Sequence, residues 1–224
     1  MYGTVGSSTY AATHTNTNNS TIKKYIDNWY SKNFDETSTA KLEDTIFCND
    51  RSTKAYDANT IGDTSISSYG DLGYGKNKTF YGAAHRASDY SNNPNPSLVC
   101  PNDNDKFTVD SKNGNGKLTN PVGLITLDEV VLAGFNTCAS ATRDYKDTTN
   151  YLHTNEDYLT FSPVMMTANS GSAYGSAHVG AAYSLGYVGF NGVHDARGVR
   201  PVISLKNGTT ATGSGTTTDP YVVK

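Results

Sequence analysis

The chain of 224 residues has a formal net charge of −3 and an isoelectric point near 5.9, so it lacks the basic excess of nucleic-acid-binding proteins. Charged residues make up only 17%, yet the mean hydropathy is −0.54, because the polarity comes from Asn, Thr, Ser, Gly and sixteen Tyr. No apolar stretch is long enough to span a membrane, and no leader-like segment opens the chain. This composition is typical of extracellular, cell-surface or virion-surface proteins.

The chain divides into a polar start and a longer remainder. Residues 1–19 form a Thr-, Ser- and Asn-rich tract without hydrophobic periodicity, which we expect to be flexible unless it is tied down. Residues 20–224 are long enough to bury one hydrophobic core and are predicted to form a single domain.

Two segments carry helical signals. In residues 20–33 apolar side chains recur at helical spacing, and Ser20 is placed as the N-cap. The apolar residues are Ile22, Tyr25, Ile26, Trp29 and Tyr30. In residues 126–134, Thr126 and Glu129 form a capping box and Gly134 ends the helix. We expect the first helix to bury Ile22, Ile26 and Trp29 against a sheet that includes Val202 and Leu205.

Short runs of apolar and β-branched residues predict strands. The candidate strands are 45–48, 79–83, 106–109, 158–161, 178–183, 199–205 and 219–223. Two helices, scattered short strands and long irregular loops predict an α+β domain.

The three cysteines leave two interpretations open. Cys48 and Cys100 each end an apolar stretch, and a disulfide between them would close a loop of about 50 residues, worth roughly 3 to 4 kcal/mol. The alternative is a pair of buried free thiols. Cys138 is predicted to be a small buried residue and not a nucleophile.

Sequence motifs of several enzyme classes are absent. There is no Gly-x-Ser-x-Gly element, no phosphate-binding loop and no dinucleotide-binding glycine pattern. The five histidines lack metal-ligand spacing, and the acidic stretch 102–105 lacks the Gly and Glu of an EF-hand loop. We therefore predict neither catalysis nor a bound metal or cofactor.

Short pieces spread along the chain carry a family resemblance. They are 20–23, 27–30, 47–51, 98–100, 121–130, 151–152, 158–163, 198–205 and 219–223. In this order they resemble bacterial surface and pilin-like proteins with a C-type lectin-type fold. That family is related to formylglycine-generating enzymes and to the variable proteins of diversity-generating retroelements. The resemblance implies two helices packed on a small antiparallel sheet with long irregular loops. The enzymatic relatives act through a cysteine pair near the C-terminus, and this chain has no cysteine after Cys138.

Residues 163–197 precede the apolar run 198–205 and are rich in Tyr, Ser, Gly and Asn, the residue types that are common in binding loops. In retroelement-diversified relatives the corresponding segment is the ligand-binding face and is rewritten at adenines, which converts Asn codons into codons for the residue types abundant here. The residues predicted to bind ligand are Asn169, Ser172, Tyr174, His178, Tyr183, Tyr187, Phe190, Asn191, His194 and Asp195. An ordinary Gly- and Ala-rich sheet and loop region is the alternative.

The sequence thus predicts a ligand-binding display protein, an adhesin or receptor-binding protein on a cell, pilus or phage, whose partner is a protein or glycan on another surface. The alternative is a structural pilin-like subunit. Strand alternation predicts Tyr183 and Tyr187 on an exposed face, with Ala182 and Val188 on the opposite one. Tyr174, Asn191 and His194 are expected on the same exposed patch, while Val199 and Ile203 anchor the adjoining strand inward.

Overall fold

Short helices and short strands alternate along the chain. The computed structural model describes residues 1–4, 9–53, 78–87, 94–136, 150–167, 176–216 and 218–224. The helices are α1 (Tyr10–Thr13), α2 (Thr21–Asn33), α3 (Glu36–Thr39), α4 (Gly82–Ala87) and α5 (Leu127–Leu132). The strands are β1 (Leu42–Glu43), β2 (Phe47–Cys48), β3 (Lys78–Phe80), β4 (Lys106–Phe107), β5 (Gly123–Leu124), β6 (Tyr158–Thr167), β7 (Ser176–Ala182), β8 (Val188–Gly192), β9 (Pro201–Val202), β10 (Ser204–Leu205), β11 (Ala211–Thr212) and β12 (Val222–Val223).

A four-stranded antiparallel sheet with the order β3-β6-β7-β8 forms the centre of the fold. The other described strands pair in twos, β1 with β10, β2 with β4, β5 with β9 and β11 with β12, all antiparallel. Few helices and small antiparallel sheets agree with the predicted α+β class.

The main core lies between the central sheet and helices α4 and α5. Leu127 and Val130 of α5 are fully buried, as are Val164 of β6 and Val188 of β8. Helix α5 begins as predicted, since the Thr126 side chain accepts a hydrogen bond from Glu129 N while Glu129 accepts one from Thr126 N.

Helix α2 packs elsewhere, on β1 and β5. Its Ser20 cap and its buried Ile26 are as predicted, and Trp29 is half-buried. Val199 and Ile203, which lie on either side of β9, also pack against this cluster. The predicted packing is confirmed in part, because β1 and β5 pair with β10 and β9, the strands that contain Leu205 and Val202. The Val202 side chain itself packs on a separate cluster around Phe47 and Phe107, and Leu205 is exposed.

Two predicted strands change in kind in the structure, and the other five keep their places with different bounds. The strand predicted at 79–83 ends at Phe80, and Gly82 begins α4, whose buried alanines are stabilised by tertiary packing. The run 199–205 divides into β9 and β10, which pair with different partners. Pro201 has no N–H to donate, so a continuous ladder through this run is unfavourable. Strands β1, β5, β8 and β11 were not predicted, and in β8 the sequence Val-Gly-Phe-Asn-Gly lacks a strand pattern.

The predicted disulfide is present. Cys48 and Cys100 are bonded, with their Cα atoms 5.7 Å apart. Cys138 lies outside the described residues. None of the helices in the described part of the chain is both long and apolar enough to cross a bilayer.

The N-terminal tract is tied down in its described part. Asn16 is buried, donates to Asn104 O at 2.7 Å and accepts from Arg51 Nη1 at 3.0 Å. Arg51 in turn donates through Nε to Asp105 Oδ1 at 2.7 Å. His14 is buried beside this pair, with Nε2 3.9 Å from Asp105 Oδ1. Polar contacts anchor this tract. The pattern of apolar residues in the sequence does not predict such contacts.

Candidate ligand-binding groove

A groove of about 630 Å³ opens between the start of α2, strands β6 and β7, and the loop 193–197. We call it the α2 groove. Most of the lining surface is apolar, and the apolar lining residues include Ile22, Leu124, Leu159, Phe161, Pro163, Val179 and Val199. Concave sites with apolar walls and a few polar groups are the usual places for ligands.

Exposed apolar side chains converge on this groove. Tyr2 is 42% exposed, Tyr25 57% and Val193 63%, and all three line the groove. Large apolar side chains that stay in water and cluster at one place commonly mark an interaction site. The sequence places Tyr25 on the same apolar face of the helix as Ile22, Ile26 and Trp29. In the structure Lys23 is buried, and Tyr25 is left at the groove.

Two polar side chains that line the groove hold buried atoms without a partner among the described residues. These atoms are Asn49 Oδ1 and His178 Nδ1. Buried polar atoms are nearly always hydrogen-bonded, so an unpaired pair at one groove favours a site that a water or a ligand completes. His178 was predicted to bind ligand, whereas Asn49 carried no signal in the sequence.

The loop 193–197 is exposed but has a fixed conformation. Asp195 N donates to Gly192 O at 2.9 Å, and Gly192 N donates to Asp195 Oδ2 at 3.1 Å. The His194 ring lies over Gly192, where an added Cβ would come within 2.5 Å of the ring. Val193, His194, Ala196 and Arg197 are exposed around this turn. The loop therefore presents side chains from a defined backbone.

Asn191 corrects the predicted binding patch. It is only 5% exposed, and its Oδ1 accepts hydrogen bonds from Tyr183 Oη at 3.2 Å and Arg197 Nη2 at 3.0 Å. The prediction that Asn191 faces solvent is wrong, because its amide holds the β7–β8 turn and the loop 193–197 together. Asn191 supports the face without belonging to it.

Tyr183 and Tyr187 lie side by side as predicted, but both are half-buried. Their rings stack at 4.8 Å between centroids, and the Tyr183 ring covers Gly189, where a Cβ would lie 2.0 Å from the ring. Ala182 and Val188 are fully buried on the core side, which confirms the predicted alternation. This tyrosine pair does not line the α2 groove.

The remaining predicted residues divide into three groups. His178 and Asp195 line the groove, and His194 is exposed next to it. Phe190 is half-buried against the main core. Asn169, Ser172 and Tyr174 lie outside the described residues. The sequence did not predict Tyr25, Val193 and Arg197 as binding residues. Tyr25 is far from the other two in the sequence, and they meet at the groove only because of how α2 packs in the fold.

A second cleft of about 440 Å³ lies beside the disulfide. Ile46, Leu98 and Val99 are exposed along it. Its buried charges pair with one another, since Arg86 donates to both Asp50 and Asp128 at 2.8 Å. In the described part of the chain, neither this cleft nor the groove contains a His, Cys, Asp or Glu cluster able to hold a metal ion.

Comparisons with protein families, with curated proteins and with solved structures find no match to this chain. The geometry of the groove and the sequence are therefore the basis for the function that follows.

Proposed function

We propose that the chain is an extracellular ligand-binding display protein with a C-type lectin-type fold, and that the α2 groove with the loop 193–197 is its recognition surface. The observation that carries this proposal is the convergence of exposed Tyr2, Tyr25 and Val193 on one concave site. The Cys48–Cys100 disulfide supports an oxidising compartment.

A protein ligand fits this surface better than a glycan. The groove walls are mostly apolar, and the charged side chains Asp195 and Arg197 have opposite signs. Sugar hydroxyls require many paired polar groups, whereas apolar side chains of a protein fill an apolar groove. Tyr25 and Val193 are the residues that we expect to contact such a partner most closely.

The loop 193–197 is also suited to sequence variation at the recognition surface. Val193, His194 and Ala196 are exposed, so their replacement leaves the core untouched. Diversification by a retroelement is the source that we propose for such changes. A reverse transcriptase gene and a near-copy repeat of the segment encoding 163–197 beside the gene would support it. An encoding region with neither feature would contradict it.

Selection from a random-peptide phage library, beside a glycan array, tests ligand binding. We expect a selected peptide to bind the chain and to bind the Tyr25→Ala and Val193→Arg variants at least about tenfold more weakly, a loss of roughly 1.4 kcal/mol or more. Tyr151→Ala is the matched control, since Tyr151 is 77% exposed and does not line the groove. Binding to glycans alone, or equal loss in the control, would contradict a protein-binding groove.

A structural surface subunit is the second candidate, and the C-terminal hairpin favours it. Strands β11 and β12 are exposed, with Tyr221 and Val222 in solvent. A two-stranded ribbon has unpaired edges that can pair with another chain. Sedimentation that shows concentration-dependent assembly, lost in a Val222→Lys variant, would favour this candidate. A monomer at all concentrations would exclude self-assembly through the hairpin.

A further inference from the structure

The described parts of the N-terminal tract lie side by side. Tyr2 and Asn18 exchange two backbone hydrogen bonds, each of 3.0 Å, and Gly3 N donates to Thr13 O at 2.7 Å. The absence of a side chain at Gly3 permits this approach, since a Cβ there would lie 2.2 Å from Ala12 O. The start of the tract therefore has a defined position beside the residues that lead into α2.

This tract forms one wall of the α2 groove. Met1 and Tyr2 line the groove together with Ile22 and Tyr25 from the start of α2. Tyr2 and Tyr25 are both exposed there. A tyrosine ring offers a large apolar contact with a polar tip, which suits it to bind a protein ligand. The shape of the groove therefore depends on where the tract docks.

The buried Arg51 side chain holds the tract in place. Its Nη1 donates to Asn16 Oδ1 at 3.0 Å and to Met1 O at 3.3 Å, so it contacts both described parts of the tract. Its Nη2 donates to Asn104 O at 3.1 Å, and its Nε donates to Asp105 Oδ1 at 2.7 Å, in the turn before β4. A guanidinium presents several N–H donors in one rigid plane, so a single arginine can bridge these groups and a lysine cannot.

We propose that Arg51 is a positioning residue for ligand recognition, which docks the N-terminal tract so that Tyr2 contacts the protein ligand in the α2 groove. Arg51 does not line the groove itself and acts through the tract. This inference rests on the proposed function of the groove. It extends the recognition surface from α2 and the loop 193–197 to the N-terminal tract.

Three variants of the full chain separate contact from positioning. Tyr2→Ala removes the contacting ring, and Arg51→Lys keeps the charge beside Asp105 but loses the planar set of donors. Asn16→Gly removes the Arg51 acceptor and tolerates the positive φ of 54° at this position, so it replaces Arg51→Lys if that variant does not fold. The probe is the peptide selected from the phage library. We expect each variant to bind it at least about fivefold more weakly.

A double-mutant cycle on peptide binding shows whether Arg51 acts through Tyr2. If it does, Arg51→Lys weakens binding less in the Tyr2→Ala background than in the wild type. A general loss of stability would not produce this coupling. Fully additive losses would overturn the positioning role of Arg51.

Amide hydrogen exchange locates the change. In Arg51→Lys the amides of Tyr2 and Asn18, which are hydrogen-bonded to each other's carbonyls, should exchange faster. The amide of Val130 in the main core should exchange as in the wild type. Unchanged exchange at Tyr2 and Asn18 would mean that Arg51 does not hold the tract.

Two controls match the variants. Arg86→Lys also alters an arginine that pairs with buried carboxylates, but Arg86 does not line the groove. It should lower the urea midpoint and leave peptide binding unchanged. Tyr151→Ala, which removes an exposed ring outside the groove, should also bind as the wild type does. Circular dichroism shows whether each variant is folded.

The outcomes distinguish this inference from the proposed function. Weaker binding by Tyr25→Ala, with unchanged binding by Tyr2→Ala and Arg51→Lys, would overturn the role of the tract and leave the proposed function intact. A library that yields no binder, or a peptide that binds Tyr25→Ala as well as the wild type, would contradict the proposed function and this inference with it.

Discussion

At the scale of single residues, buried polar groups hold loops that carry little regular structure. Asn191 joins Tyr183 to Arg197, and Arg51 joins Asn16 to Asp105. Arg86 lies between Asp50 and Asp128, and these hydrogen bonds raise its pKa. Such groups stabilise the fold while they are paired and destabilise it when one partner is lost.

Replacement of Arg86 by Met leaves two buried carboxylates without their shared cation. We expect the free energy of unfolding to fall by about 3 to 5 kcal/mol, the usual cost of breaking a buried ion pair from one side. Urea denaturation measures the change. The control is Lys106→Met, because the partner of Lys106, Asp103, is exposed, and such pairs contribute about 0 to 1 kcal/mol. Equal losses in the two variants would show that burial of the Arg86 cluster has no energetic consequence.

His14 makes the stability depend on pH. Burial, and then the charge of Arg51, lower its pKa from 6.5 to about 4. Below pH 6.5 the unfolded chain therefore binds more protons at His14 than the folded chain does. This contribution to stability is complete above about pH 6.5 and falls as the pH drops towards about 4, by roughly 2 to 3 kcal/mol.

Urea denaturation at a series of pH values, for the wild type and a His14→Gln variant, isolates this effect. The wild type should lose more stability than the variant between about pH 6.5 and 4. Parallel curves would mean that His14 protonates equally well in the folded and unfolded states.

At the scale of elements, two glycines allow neighbouring elements to pack closely against each other. Gly180 of β7 contacts α5, and a Cβ there would lie 2.4 Å from Leu127 Cγ. Gly123 of β5 contacts Phe47 of β2 in the same way, at 2.3 Å. Neither position has a positive φ, so the requirement for glycine comes from space and not from backbone conformation.

Gly180→Ala should push α5 away from the central sheet. We expect a loss of about 1 to 3 kcal/mol, the usual cost of overpacking a core. The double variant Gly180→Ala with Leu127→Ala removes the side chain that clashes. The two effects should therefore be less than additive in a double-mutant cycle read by urea denaturation. Full additivity would mean that the two residues do not touch.

The elements that the sequence predicts best are those whose signals are local. Helices α2 and α5 begin directly after Ser20 and Thr126, because each of these capping side chains acts within three residues. The strands are mostly two residues long, and their pairing depends on partners far along the chain, so their bounds are predicted only in part. Helix α4 depends on burial of its alanines, which is a tertiary effect.

Composition pointed to the segment 163–197, and His178 and Asp195 of that segment line the groove. Composition does not separate exposed from buried polar residues, so Asn191 was placed on the wrong side of the surface. Tyr25 comes from a different part of the chain and joins the groove only through packing of α2.

At the scale of the whole molecule, the start of α2, two strands of the central sheet and the exposed loop 193–197 form the α2 groove, while α4 and α5 pack on the sheet. The residues that hold this arrangement differ from those that face the groove. Ala182, Val188 and Asn191 are buried, while Tyr25 and Val193 are exposed. Under the proposed function, this arrangement separates stability from recognition, because exposed positions can change at little cost.

A mutational scan of the full chain, with two measurements on each variant, tests most directly whether stability and binding depend on different residues. One reading is protease resistance, and the other is binding to the peptide selected from the phage library. We predict that substitutions at Tyr25, Val193 and His194 reduce binding and leave protease resistance unchanged, whereas substitutions at Val188 and Asn191 reduce both. The contradictory result is a set of binding-specific positions that lies outside both the α2 groove and the loop 193–197, for example at Leu98 and Val99 beside the disulfide.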